Sequence, residues 1–552
     1  MRHGQGFDLV FQEWLRLAAQ PPASRAEPLP GFDRYEPMFD YAPEDLLDDP
    51  ATGVALPELL DMLARLSTQM HVGALKLTGS LGDLPAGYTY LAQFAIHDLV
   101  NTASFRTTLD RNLPRRQFGN IQSAALDLAS LYGGGPAGSP AFFEPTDATE
   151  HRARFRLGWM RDSSGDPALR GHPTRQEDIP RLPLGPELGA APGDTRFDPL
   201  LADTRNADNL IVSQLVVLLM KTHNRLYDAA QDHAASGRAH NRLFARPFEA
   251  ARCMLTAIYR QILRGDFLPR LLPPSALARL ATPATAGPVG LEAALAVLRF
   301  GHAMVQPVYE FSAVHSGSGP SGPARLERLM DFFGLHPTRD LPADDTWVID
   351  WSLFFDPLTG QAANPRMNRA RPLGPTIAEP LRRHAATRVA PPADLPGLAG
   401  HRLGLGWRTM AKGLMARLPT GQALARHLVQ AGKIAPTEVL PQAALDHILR
   451  TGRTAGCIGE RCVTEADIGF LSQRTPLFFY ILAEARHFGA GERLGPVGGL
   501  VVAETFAAAL ADPGFGGEAS LDDAAALLWR ELYPSGPGMP ATMPELVDFA
   551  AG

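Results

Sequence analysis

Apolar residues recur at helical spacing through most of this chain, whereas the alternation that marks a strand is almost absent. From Pro57 onward, Leu59, Leu60, Met62, Leu63 and Leu66 share one face, and Tyr90 to Val100 reads as a second helix. A long helix is expected from near Arg205 to about His233, with Asn206 and Asp208 suited to its first turn. Another is expected over 246–264, where Pro247 is tolerated at the start, and a continuous one from Leu291 to Val305, closed by Pro307. Further helices fall near 421–431, 442–451, 475–487 and 498–511. The 52 glycines and 49 prolines require long irregular connections between them. The expected fold is therefore mainly α: an all-helical domain over 51–552, preceded by a wrapping arm at 1–50, with 133–200 forming a long ordered excursion.

A net charge of −6 offers no electrostatic case for a nucleic-acid partner. The longest apolar stretch, Leu210 to Met220, falls short of the roughly 20 residues a transmembrane helix needs. The first residues, MRHGQGFDLVFQEWLRLAAQ, interrupt their apolar run with charge and do not read as a secretory signal, so the default location is cytoplasmic, with export by another route open. Of the three cysteines, Cys253, Cys457 and Cys462, the last two form a lone C-x4-C and read as ordinary thiols rather than a zinc site.

Chemistry-bearing side chains cluster in a few strings. Gln93 and His97 lie four apart and project from one helical face, while Asp98 points about 100° away. Asp203-Thr-Arg205-Asn-Ala-Asp208-Asn-Leu precedes the helix bearing Thr222-His223-Asn224-Arg225-Leu226. His302 stands in Leu298-Arg-Phe-Gly-His-Ala-Met on a mostly apolar segment, and Asp127 and Tyr132 lie in Leu126-Asp-Leu-Ala-Ser-Leu-Tyr-Gly-Gly. Taken singly, each histidine is as readily a buried, hydrogen-bonded core residue.

In this order, together with ARCMLTAIYRQILRGDFLP, LPTGQALA, RTPLFFYILAEA and GPVGGLVVAE, the strings resemble the animal-type haem peroxidases, the compact bacterial members most nearly. The resemblance implies a haem b cofactor, hydrogen peroxide or an organic hydroperoxide as oxidant, and small reducing substrates. It makes His97 the distal histidine, with Gln93 beside it and Arg205 completing the distal site. It makes His302 the proximal ligand of haem iron. Arg196, in the other Asp-Thr-Arg of the chain, is the alternative to Arg205.

Three positions depart from the family pattern. Ile96 stands where mammalian members carry a haem-linking carboxylate, while Asp208 matches the second linking position, so the haem is expected to be non-covalent or singly ester-linked. The family's calcium ligands map to Asp98, Ser123, the Ala125 carbonyl and Asp127, but Ala129 replaces a last oxygen donor; calcium binding and helix capping both stand as readings of Asp98 and Asp127. Thr409 occupies the position of the asparagine that partners the proximal histidine, which argues for altered or reduced activity. The competing readings are a catalytically weakened haem-binding protein and a fatty-acid dioxygenase of the cyclooxygenase-like branch. The latter needs a tyrosine where this chain has Arg299.

Overall fold

The computed structural model describes residues 33–72, 81–103, 119–145, 153–164, 174–184, 196–280, 282, 284, 286–332, 343–383, 404–456, 462–511 and 520–551. Residues 1–32 of the expected arm, parts of the 133–200 excursion, Cys457 and the side chain of Arg196 lie outside them.

The architecture is helical. The longer helices are α1 (Leu56–Met70), α2 (Gly87–Leu99), α3 (Leu210–Ala235), α4 (Pro247–Ile262), α5 (Leu405–Met415), α6 (Gly421–Gln430), α7 (Gln442–Gly456), α8 (Leu477–Gly489), α9 (Pro496–Ala509), α10 (Leu521–Leu532) and α11 (Met543–Ala551). Strands among the described residues are two to four residues long, such as Arg181–Leu184 paired with Arg196–Pro199. One hydrophobic cluster runs from Tyr35 to Leu546, and α3 and α2 pack at its centre with their apolar residues almost completely buried.

Two expected helices take a different form. Asn209, extended at φ −153° and ψ 162°, caps α3 by accepting from Val212 N–H, so Asn206 and Asp208 stand outside that helix. Asn206 belongs to a separate 3-10 turn, Thr204–Ala207, capped by the Asp203 carboxylate on Arg205 N–H, and Asp208 closes that turn with its N–H on Arg205 O. The helix expected from Leu291 to Val305 breaks at Ala296 (φ −130°, ψ −61°) into a short α-helix, Leu291–Leu295, and a 3-10 helix, Val297–Ala303. With three residues per turn, side chains at i and i+3 eclipse, so the break sets Arg299 and His302 on one edge.

The C-terminal strings lock together. Gln422 donates to the Thr475 hydroxyl (2.8 Å) and accepts from Thr475 N–H (2.9 Å). Glu484, fully buried on α8, accepts from Gly498 and Val497 N–H at the start of α9. Burial pushes its carboxyl up to about 8. His223 of the Thr-His-Asn string accepts from the Tyr132 hydroxyl at Nδ1 and donates from Nε2 to Ala153 O, both at 2.9 Å, which makes it a neutral structural histidine. The expectation of ordinary thiols is corrected at Cys462, which takes part in a disulfide; Cys253 is buried in the core outside any disulfide, its Sγ 3.9 Å from Leu521 O.

Candidate active site

Helix α2 carries Gln93 and His97 one turn apart, as their spacing requires. His97 retains 8% of its surface and has its Nδ1 2.9 Å from Asn206 Oδ1. Burial, aided by the charge of Arg205, lowers its pKa to about 3, so the ring is neutral at physiological pH. Gln93 Oε1 accepts from Asn209 Nδ2 at 3.1 Å.

Arg205 lies beside His97, but its guanidinium is largely committed. Nη1 donates to Val100 O (2.7 Å), Nη2 to His97 O (2.9 Å), and Nε and Nη2 to the Asp203 carboxylate. The arginine thereby caps the last turn of α2 through carbonyls that have no partner inside the helix. Despite the burial that opposes its charge, Asp203 is held at about 2 by Arg205. One Nη1–H is left over for other contacts, fewer than the distal role expected of Arg205 would suggest.

Asp98 faces away from this site, fully buried, and accepts from Leu128 N–H (3.0 Å) and Ser130 N–H (2.9 Å). It thereby holds Leu128 in the left-handed region (φ 61°), where a branched residue is strained. Asp127 accepts from Ala129 N–H and the Ser123 hydroxyl. Of the positions expected for calcium (Asp98, Ser123, the Ala125 carbonyl and Asp127), Asp98 thus accepts from N–H groups at both carboxylate oxygens, and Asp127 accepts from N–H and O–H donors at Oδ1. Desolvation and the nearby Asp127 charge raise Asp98 to about 7.

On the opposing side, His302 sits on its 3-10 helix with Phe478 of α8 against its ring, the centroids 6.2 Å apart. Its Nδ1 is buried without a hydrogen-bond partner. The expected partner does not reach it: the Thr409 hydroxyl donates to Leu405 O (2.9 Å), one turn back in α5. Threonine's short side chain favours this back-bond in a helix. Thr409 instead lines a cavity of about 20 Å³ with Leu47, Leu414, Leu418 and Phe478.

The two histidines lie near enough for their charges to interact. His97 and Arg299 both contribute to lowering the pKa of His302 to about 3, behind burial as the main cause. Arg299, eclipsed with His302, and Lys412, one turn beyond Arg408 on α5, share this neighbourhood. Among the described residues neither has an anionic partner. Desolvation and the charges of Arg299, Arg408 and Arg205 depress Lys412 to about 7. Asp208, also half-buried, is raised to about 7 by burial against the opposing pull of Arg205. Gln93, Arg205, Asp208, Arg299, His302 and Lys412 all keep accessible surface, while desolvation is the leading influence on each of the five that titrate. That combination marks side chains lining an internal recess rather than the outer surface.

The sequence assigns no site role to Asn206, Asn209 or Lys412, with Asn206 read only as a helix-start residue, and Arg299 enters it only as a missing tyrosine. The spacing of three between Arg299 and His302 already sets them on one face of an α-helix, and the 3-10 geometry brings them into eclipse.

Residues 102–333 match the family model for animal haem peroxidase, a range that holds Arg205 and His302 but begins after Gln93 and His97. The chain is 30% identical over 257 residues to the thyroid peroxidase of Homo sapiens. That match covers 45% of this chain and 23% of the relative, so it spans about a quarter of the relative's length. Peroxidase A from Dictyostelium discoideum shares the fold, with a TM-score of 0.52 and 14% identity over 89% of this chain and 88% of that one. The fatty acid alpha-dioxygenase of Oryza sativa aligns at a TM-score of 0.42 and 12% identity, over 86% and 78%. Over residues 102–333 the chain thus resembles the animal haem peroxidases, and it shares the helical fold of a peroxidase.

Proposed function

We propose that the chain is a haem-dependent peroxidase that reduces hydrogen peroxide or an organic hydroperoxide and oxidises small electron donors, with haem held between His97 and His302. The observation that carries this reading is the nearness of two neutral histidines, from α2 and from the 3-10 helix Val297–Ala303, to Arg299 and Lys412, which have no anionic partner among the described residues. The residues fit the group. His302 has a buried Nδ1 with no internal partner, which leaves Nε2 as the ring atom able to ligate iron. Arg299 and Lys412 would hold the two haem propionates, each supplying the counter-charge the other lacks.

Bound haem supplies the iron at which peroxide is reduced and electrons from donors are collected. The chain's own residues do the rest. His97, neutral because it is buried, accepts a proton from peroxide and can return it. Gln93 positions the oxidant alongside. Arg205 fixes the carbonyl of His97 and lends positive charge nearby. The unpartnered Nδ1 of His302 favours slow turnover, because a hydrogen-bond acceptor there would raise the ligand's basicity.

Purified protein supplied with haem should show a Soret band that shifts on adding peroxide, and should oxidise a peroxidase dye. A protein that takes up no haem would remove the proposal. The haem should also be extractable with acid–acetone, since Ile96 offers no carboxylate. Retention in the wild type, lost in Asp208→Ala, would instead identify a single ester at Asp208.

A further inference from the structure

We infer that the turn Arg205–Asn209 sets the polarity of the distal pocket, with Asn206 and Asn209 as positioning residues that present His97 Nε2 as a proton acceptor and Gln93 Nε2 as a donor. The inference rests on the peroxidase reading for its substrate, but its structural half stands on donor and acceptor bookkeeping alone.

Asn206 is 1% exposed and its amide contacts two groups. Ser130 O, 3.3 Å from Nδ2, can only accept, so the NH2 end of the amide must face it. Oδ1 therefore faces His97 Nδ1 at 2.9 Å, and an amide oxygen can only accept. Nδ1 must carry the proton of the neutral ring, which leaves Nε2 as the basic nitrogen. The opposite amide orientation would set two acceptors against each other at Ser130.

The same reasoning applies three residues on. Asn209 Oδ1 is taken by Val212 N–H at the start of α3, so Nδ2 is the end that meets Gln93. Gln93 must offer Oε1 to it, which turns its own NH2 group away. Neither Gln93 Nε2 nor His97 Nε2 has a hydrogen-bond partner among the described residues. The pocket so defined has one acceptor and one donor, a turn apart on α2. That pair suits a small molecule with an acidic O–H next to an oxygen lone pair, as in hydrogen peroxide or an alkyl hydroperoxide. One proton moves from the O–H to His97 Nε2, and the neighbouring oxygen accepts from Gln93 Nε2–H.

The test uses the haem-loaded protein labelled with 15N-histidine, in its diamagnetic ferrous carbon monoxide form, with His97→Ala for assignment. The wild type should show His97 protonated at Nδ1. Asn206→Ala should give mixed tautomers and slow the reaction with hydrogen peroxide about tenfold to a hundredfold, part of what a general base contributes. Asn206→Asp keeps an acceptor opposite Nδ1 and should restore the single tautomer. Asn209→Ala should leave the His97 tautomer intact while weakening peroxide capture. A wild-type ring protonated at Nε2, or an unchanged tautomer in Asn206→Ala, overturns the inference. If the tautomers behave as expected but peroxide does not react at all, the peroxidase reading fails and the positioning role survives.

Discussion

His302→Ala should lose most of its haem and keep its fold. Truncating a buried side chain usually costs stability through a cavity and through broken hydrogen bonds. Here the second cost is missing, because His302 Nδ1 is buried without a partner and removing the ring breaks no internal hydrogen bond. A buried, unsatisfied nitrogen itself costs roughly 1–3 kcal/mol, which offsets part of the packing lost against Phe478. The haem-free variant should therefore unfold within a few degrees of the haem-free wild type, while the Soret absorbance per chain falls severalfold. Free imidazole added to the variant should restore part of that absorbance by filling the space left behind. Thr409 explains why the position is so exposed to this test: its hydroxyl is spent on Leu405 O, so nothing on α5 steadies the proximal ring. A variant with full haem and an unchanged spectrum would show that another residue ligates the iron.

Much of this site was legible in the sequence, because helical spacing is a local property. Gln93 and His97 four apart must share a face, and α2 delivers them so. The helical fold followed from the same periodicity, with boundaries such as Gly421–Gln430 close to those expected. What stayed hidden depends on partners remote in sequence or on departures from α geometry. The break at Ala296 that aligns Arg299 with His302 leaves no mark in the apolar pattern of 291–305. Asn206 looks like a helix-start residue, and only the fold brings it 2.9 Å from a histidine 109 positions earlier. The sequence makes Arg205 the residue that completes the distal site, yet its geometry is dominated by Asp203 and two main-chain carbonyls. Lys412 is unremarkable in its amphipathic helix until the fold sets it near Arg299, Arg408 and Arg205, whose charges help to depress it.

His97→Ala should slow the reaction with hydrogen peroxide by about 10²-fold or more while haem content stays near that of the wild type. The proposed proton acceptor disappears, but His302, the proposed iron ligand on the 3-10 helix Val297–Ala303, is untouched. The pH dependence of the wild type sharpens this expectation. An exposed histidine would switch off as pH falls through about 6.5. His97 is lowered to about 3, first by burial and then by Arg205, so the neutral, active form persists far below that value. The rate should stay level from about pH 8 down to about pH 5, and protonation of His97 should stop it only as pH falls through about 3. Stopped-flow rates across that window measure it directly, and a midpoint near 6.5 would mean the ring is far less desolvated than its 8% exposure indicates. Arg205→Ala provides the sign control. It removes the cation that disfavours imidazolium and leaves the buried Asp203 carboxylate without its partner. Both changes favour the charged ring, so the acid limb should move up in pH, toward neutrality. The accompanying loss of stability follows from breaking a largely buried ion pair, about 3–5 kcal/mol at full burial and less here, where the arginine side chain keeps 17% exposure. If the acid limb of Arg205→Ala instead stayed in place or moved down, the guanidinium would not be the charge that holds His97 neutral.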